Sequence, residues 1–128
     1  MLKSDLERVA LPPLNAIHDE EVEMINAIQA LCRAGDEAGL ATAIAELGEH
    51  FEAHFTLEED NMGRTQFADL EEHRTEHDAM RERYAGIAED ADLAGMTAFF
   101  EEELPAWFVD HVATLDVVTA EHVAGWQG

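Results

Sequence analysis

The chain has 128 residues, 47% of them apolar, and carries 29 acidic against 7 basic residues for a formal net charge of −22. That length builds one domain over residues 1–128 with a core large enough to enclose a small site, and the carboxylate excess repels phosphate backbones, so nucleic acid is not an expected partner. No apolar run is long enough to span a bilayer and Met1 to Val9 lacks the apolar stretch of a secretory signal, so the expectation is a cytoplasmic protein with no membrane partner.

Pro12 and Pro13 stand where a first helical turn tolerates proline, and Leu14, Ile17, Met24, Ile25, Ile28 and Leu31 follow at helical spacing, which predicts a first helix over about 13–33. Asp36 is placed to cap a second, over about 37–62, whose stripe of Leu40, Ile44, Leu47, Phe51, Phe55 and Met62 ends near Gly63. A third is expected over about 67–89, with Leu70, Met80, Tyr84 and Ile87 facing inward. Asp92 can cap a fourth over about 92–123, in which Pro105 removes a backbone donor and predicts a kink or a fresh helix start near Leu104. Four long helices with short connections favour an all-α, antiparallel, up-down-up-down four-helix bundle.

Each predicted helix carries at least one histidine. His54 with Glu58, and His73 with His77, are four residues apart, about 40° around a helix, so each pair projects from one face as ligands of one site must. His111 and Asp116 are five apart, about 140° on a regular helix, and need a local π-type turn to point together. His18 stands alone in the first helix. With Cys32 the only cysteine, a metal here would rest on imidazole and carboxylate, which suit iron, manganese or zinc.

Leu14-Asn15-Ala16-Ile17-His18, His54-Phe55-Thr56-Leu57-Glu58-Glu59 with Met62, His73-x-x-x-His77, and Trp107-Phe108-Val109-Asp110-His111 with Asp116 together resemble the hemerythrin family, and in particular its single-domain bacterial members, over most of the chain. The resemblance implies a cofactor of two Fe ions (Fe2+/Fe3+) with a bridging oxo or hydroxo group. It assigns His73, His77 and His111 to one iron, His18 and His54 to the other, and Glu58 and Asp116 to both. It further implies reversible binding of O2, for storage, delivery or sensing, rather than catalysis. By helical spacing the wall of the O2 pocket is expected from Met24, Phe51, Phe55, Trp107 and Leu115. The alternative is a di-iron redox enzyme acting on peroxide, nitric oxide or ferrous iron; five histidines with two carboxylates favour the binder, because di-iron oxygenases use carboxylate-rich sets.

The chain begins almost at the first helix, without the longer aromatic-bearing arm of the family, so the adjoining end of the bundle is expected to lie open to solvent. His50, one turn before His54, is expected to make an outer or surface contact rather than to bind metal. Glu59 is expected in a solvated or interhelical role, Cys32 as a small apolar residue at a helix end, and His122 at the surface near a frayed C-terminus.

Overall fold

A computed structural model describes residues 1–128. Four helical rods form an all-α bundle: α1 (Pro12–Ala34), α2 (Glu37–Arg64), α3 (Leu70–Asp90), and a composite fourth rod. That rod comprises α4 (Leu93–Ala98), a π-helical segment Phe99–Glu103, α5 (Leu104–His111), a second π-helical segment Val112–Asp116, and α6 (Val117–Gly125). The residues at every junction keep right-handed helical dihedrals, so the rod is continuous. No helix is long and apolar enough to cross a membrane.

The rods stop where local chemistry stops them. Gly35, at φ 65°, takes the left-handed position after α1; its N–H donates to the Cys32 carbonyl and that of Asp36 to the Leu31 carbonyl. Asp36 then caps α2 by accepting from the Gly39 N–H, and Asp92 caps α4 by accepting from the Gly95 N–H. The end of α2 differs from expectation. Gly63 lies inside the helix, and the left-handed seat is held by Gln66 (φ 54°), whose neighbour Phe67 donates back to the Met62 carbonyl. The third rod accordingly starts at Leu70, after a turn that uses Phe67 to Asp69.

Pro105 marks the fresh α-helical start expected at Leu104 without breaking the rod. It lies in the first turn of α5, directly after the widened π segment. There the Leu104 N–H donates to the Phe99 carbonyl, and Pro105 has no N–H for the Phe100 carbonyl that follows. The buried Gln29 of α1 supplies the missing donor, its Nε2 lying 2.9 Å from that carbonyl oxygen. Phe99 and Phe100 are both buried, edge to face, in the apolar core with Leu40, Leu47 and Ile28.

The N-terminal arm is ordered against the bundle. Residues 1–9 run back alongside α1: Arg8 pairs with Asp19, Lys3 with Glu23, and Asn15 holds both the N–H and the carbonyl of Val9. Leu6 and Val9 are buried in the core as a result. Little of the expected opening remains at this end: Leu11 and Leu14 leave a pocket of only about 10 Å³ beside Glu58 and Asp116, barely the space of one water.

Because the Phe100 carbonyl depends on a side chain from another helix, Gln29→Leu should destabilise the protein by about 1–3 kcal/mol in urea denaturation, the cost of a buried acceptor left unsatisfied. Adding Pro105→Ala, which returns a backbone donor, should recover part of that loss. Strictly additive losses would show that the carbonyl does not rely on Gln29.

Candidate metal centre

Antiparallel packing sets the N-terminal half of α1 beside the C-terminal half of α2, the start of α3 and the end of the fourth rod. That places His18, His54, Glu58, His73, His77, His111 and Asp116 in one cluster, each 2% exposed or less. The π segment Val112–Asp116 is the turn that the five-residue spacing demanded: the Val117 N–H reaches back to the Val112 carbonyl, five residues away, and Asp116 comes round to the side of His111.

Two groups of donors form, Glu58, His73, His77, His111 and Asp116 in one and His18, His54, Glu58 and Asp116 in the other, with the donor atoms of each within 4.8 Å of one another. The carboxylates straddle the groups. Asp116 Oδ1 lies 3.0 Å from His111 Nε2 and 3.1 Å from His73 Nε2, while its Oδ2 lies 3.3 Å from His18 Nε2. Glu58 Oε1 meets His54 Nε2, and its Oε2 lies 3.4 Å from His73 Nε2.

The outward ring nitrogens account for the inward ones. His54 Nδ1 donates to Glu21 (2.9 Å), His77 Nδ1 to Glu59 (2.8 Å) and His111 Nδ1 to Glu76 (2.7 Å), while His73 Nδ1 pairs with the Thr119 hydroxyl (2.9 Å). A carboxylate only accepts, so Glu21, Glu59 and Glu76 fix a proton on the Nδ1 of their histidines and turn each Nε2 inward, whereas the Thr119 hydroxyl can donate to His73 or accept from it. His73 and His77 Nε2 then stand 3.2 and 3.3 Å from His111 Nε2. Since His77 and His111 both carry a proton on Nδ1, their Nε2 atoms at that distance require a cation between them, either a proton or a metal ion. The buried polar atoms without a partner include His18 Nε2, His54 Nε2, Glu58 Oε1 and both Asp116 oxygens, all of which converge here. An apolar fold does not retain so many orphans, and a metal ion satisfies them together.

Protonation in the metal-free protein follows from the same geometry. Burial drives the His77 imidazole down to about 2, helped by the nearby His111 and His73. Burial works against protonated His111 and His54 as well, but Asp116 holds His111 up at about 10, and Glu58 and Glu21 hold His54 well above the usual histidine range. Burial beside Asp116 raises the Glu58 carboxyl, whereas the imidazoles around Asp116 keep that carboxyl well below its usual value despite burial.

The aromatic residues expected around the site divide. Phe55 stacks on His77 (4.1 Å between centroids) and Trp107 on His111 (4.5 Å), and Phe51 packs against Phe55 and Phe108. Leu115 lines a surface cleft with His73, and Met24 packs half-buried against the core. Phe108, edge-on to His18 at 5.5 Å, belongs with this group; its position three residues before His111 was the available signal. His50 touches Glu21 and Glu20, and Glu59 reaches across to α3, where Arg81 also grips it. His122 is half-buried rather than on the surface, since its Nε2 donates to the Thr65 carbonyl and its ring packs on Phe67. Glu21, Glu76 and Thr119 carried no sequence signal, because each meets its histidine across a helix interface.

Comparison with known proteins agrees with this architecture. The family described as Hemerythrin HHE cation binding domain matches residues 10–124. A bacteriohemerythrin of Aquifex aeolicus (strain VF5) is 28% identical over 114 residues, covering 86% of this chain and 87% of its own length. The crystal structure of a wild-type hemerythrin superposes with a TM-score of 0.76 over 98% of this chain and 97% of its own, at 15% identity. The structure of a mutant gives the same TM-score at 16% identity, over 98% of this chain and 96% of its own.

Since His54 and His111 hold protons in the metal-free protein at neutral pH, metal entering at their Nε2 atoms must expel them. Loading the metal-free protein at pH 7 should release about two protons per chain, measured by titration calorimetry in buffers of different ionisation enthalpy, and metal affinity should fall as pH is lowered. Loading without proton release would contradict this protonation pattern.

Proposed function

The chain belongs to the hemerythrin family, and from that premise we propose that it is a non-haem di-iron protein that binds O2 reversibly, for storage, delivery or sensing. The observation that carries this reading is the pair of donor groups sharing Glu58 and Asp116, one with three imidazoles and the other with two. His73, His77 and His111 would hold one iron, His18 and His54 the other, and the two carboxylates both. The smaller donor set, with two imidazoles in place of three, would leave room there for a diatomic ligand. When bound, the iron pair supplies the electrons that O2 takes up on binding and returns on release.

The protein's part is to make that exchange reversible. Five imidazoles against two carboxylates favour a centre that binds over one that oxidises, since carboxylate-rich sets support oxygenase chemistry. Glu21, Glu59 and Glu76 are turned to the outer sides of their histidines, engaged by Nδ1 atoms, and are not free to deliver protons inside the pocket. Phe51, Phe55, Trp107 and Phe108, the aromatic part of a wall that we also assign to Met24 and Leu115, keep water from the inward face.

Anaerobic ferrous protein should contain about two irons per chain and should gain and lose a visible absorption band through repeated cycles of O2 and inert gas. A permanent ferric spectrum after one exposure would instead favour a redox enzyme, to be assayed with peroxide, nitric oxide and ferrous iron.

A further inference from the structure

Glu21 is fully buried in α1, yet it is none of the seven residues that converge on the centre. Burying a carboxylate costs several kcal/mol unless it is paired, and an apolar residue of similar size is commonly the more stabilising choice. Its pairing is specific. One oxygen, Oε2, accepts from His54 Nδ1 at 2.9 Å and from His50 Nδ1 at 3.0 Å. The outer ring nitrogen of His50 lies 3.0 Å from Glu20, so this imidazole faces a carboxylate on both sides. Only a protonated ring donates in both directions, which makes His50 the cationic partner of Glu21. The result is a linear array running from the surface through Glu20, His50 and Glu21 to His54.

The two halves of the centre are supported unequally. In the three-histidine half every Nδ1 is held, by Thr119, Glu59 and Glu76. In the two-histidine half His18 Nδ1 has no partner, and Glu21 is the only group that orients either imidazole from outside. Losing one support from the first half leaves two in place. Losing Glu21 from the second leaves none.

We propose that Glu21, held by His50, is the positioning residue of the two-histidine half: it locks His54 with Nε2 turned inward, and its loss frees the metal of that half while the three-histidine half keeps its own. The inference rests on the two-metal reading above. Partners that orient metal-binding histidines typically contribute 10–100-fold to metal affinity, and here that contribution falls on one metal of the two.

The test uses the full chain loaded anaerobically with ferrous iron and titrated with a chelator, comparing wild type, Glu21→Gln, His50→Ala and Glu76→Gln. Glu21→Gln should surrender one iron at about 10–100-fold lower chelator and retain the other at the wild-type midpoint. His50→Ala should shift the same iron in the same direction by less. Glu76→Gln should leave that iron unchanged. Nitrogen NMR of the zinc-loaded protein gives a second readout: the His54 Nδ1–H should be protected from exchange in wild type and exchange fast in Glu21→Gln. Wild-type release curves in Glu21→Gln, or simultaneous loss of both irons, would overturn the proposal. If Glu21→Gln fails to fold by circular dichroism, His50→Ala, made at a partly exposed position, decides the matter, and an unshifted curve there overturns it. A wild-type protein that retains only one iron would instead refute the two-metal reading itself.

Discussion

Seven ionisable side chains are sealed together inside a bundle whose other buried residues are mainly apolar, and the rest of the structure answers to that constraint. Left alone, such a cluster is a heavy electrostatic burden, with imidazole nitrogens 3.2–3.3 Å apart and two carboxylates buried side by side. Protons relieve part of it in the metal-free protein, on His54 and His111. Metal cations relieve it more completely, because each satisfies several donors at once. A site of this kind is therefore a folding problem as well as a functional one.

The bundle meets the constraint in two layers. Inside, departures from regular helix geometry aim the donors: the π segment before Val117 brings Asp116 round to His111. Outside, Glu21, Glu59, Glu76 and Thr119 hold four of the five imidazoles by their far nitrogens, so that ring direction is set before any ligand arrives, and the three carboxylates fix the Nδ1 proton as well. The outer layer is itself anchored. Arg81 grips Glu59, and His50 grips Glu21, linking the strongly acidic surface to the interior. Some of the chain's many carboxylates thus have a structural duty.

The other π segment, Phe99–Glu103, shows the same economy in the apolar half of the bundle. A proline in a buried rod deprives the preceding turn of a donor, and the fold repairs this with Gln29 from α1 rather than by breaking the rod. The repair ties α1 to the fourth rod beside the rings of Phe99 and Phe100.

Sequence alone determined the features that depend on near neighbours along the chain. Helical periodicity gave the all-α bundle, Asp36 and Asp92 declared themselves as caps, the four-residue pairs marked shared faces, and the five-residue gap from His111 to Asp116 called for a π turn. Each of these is a statement about residues within one or two turns, where covalent geometry dictates who meets whom. Tertiary structure decided the rest. Which oxygen of Asp116 faces which imidazole, and that Glu21, Glu76 and Thr119 orient histidines 33, 35 and 46 residues away, follow only from how the helices pack. So do the fold-back of the N-terminal arm against α1 and the donation from His122 to Thr65, for which the chain carries no periodic signal. A carboxylate that faces solvent and one that clamps a buried imidazole look alike in a sequence, and only the rotation of one helix against its neighbour tells them apart.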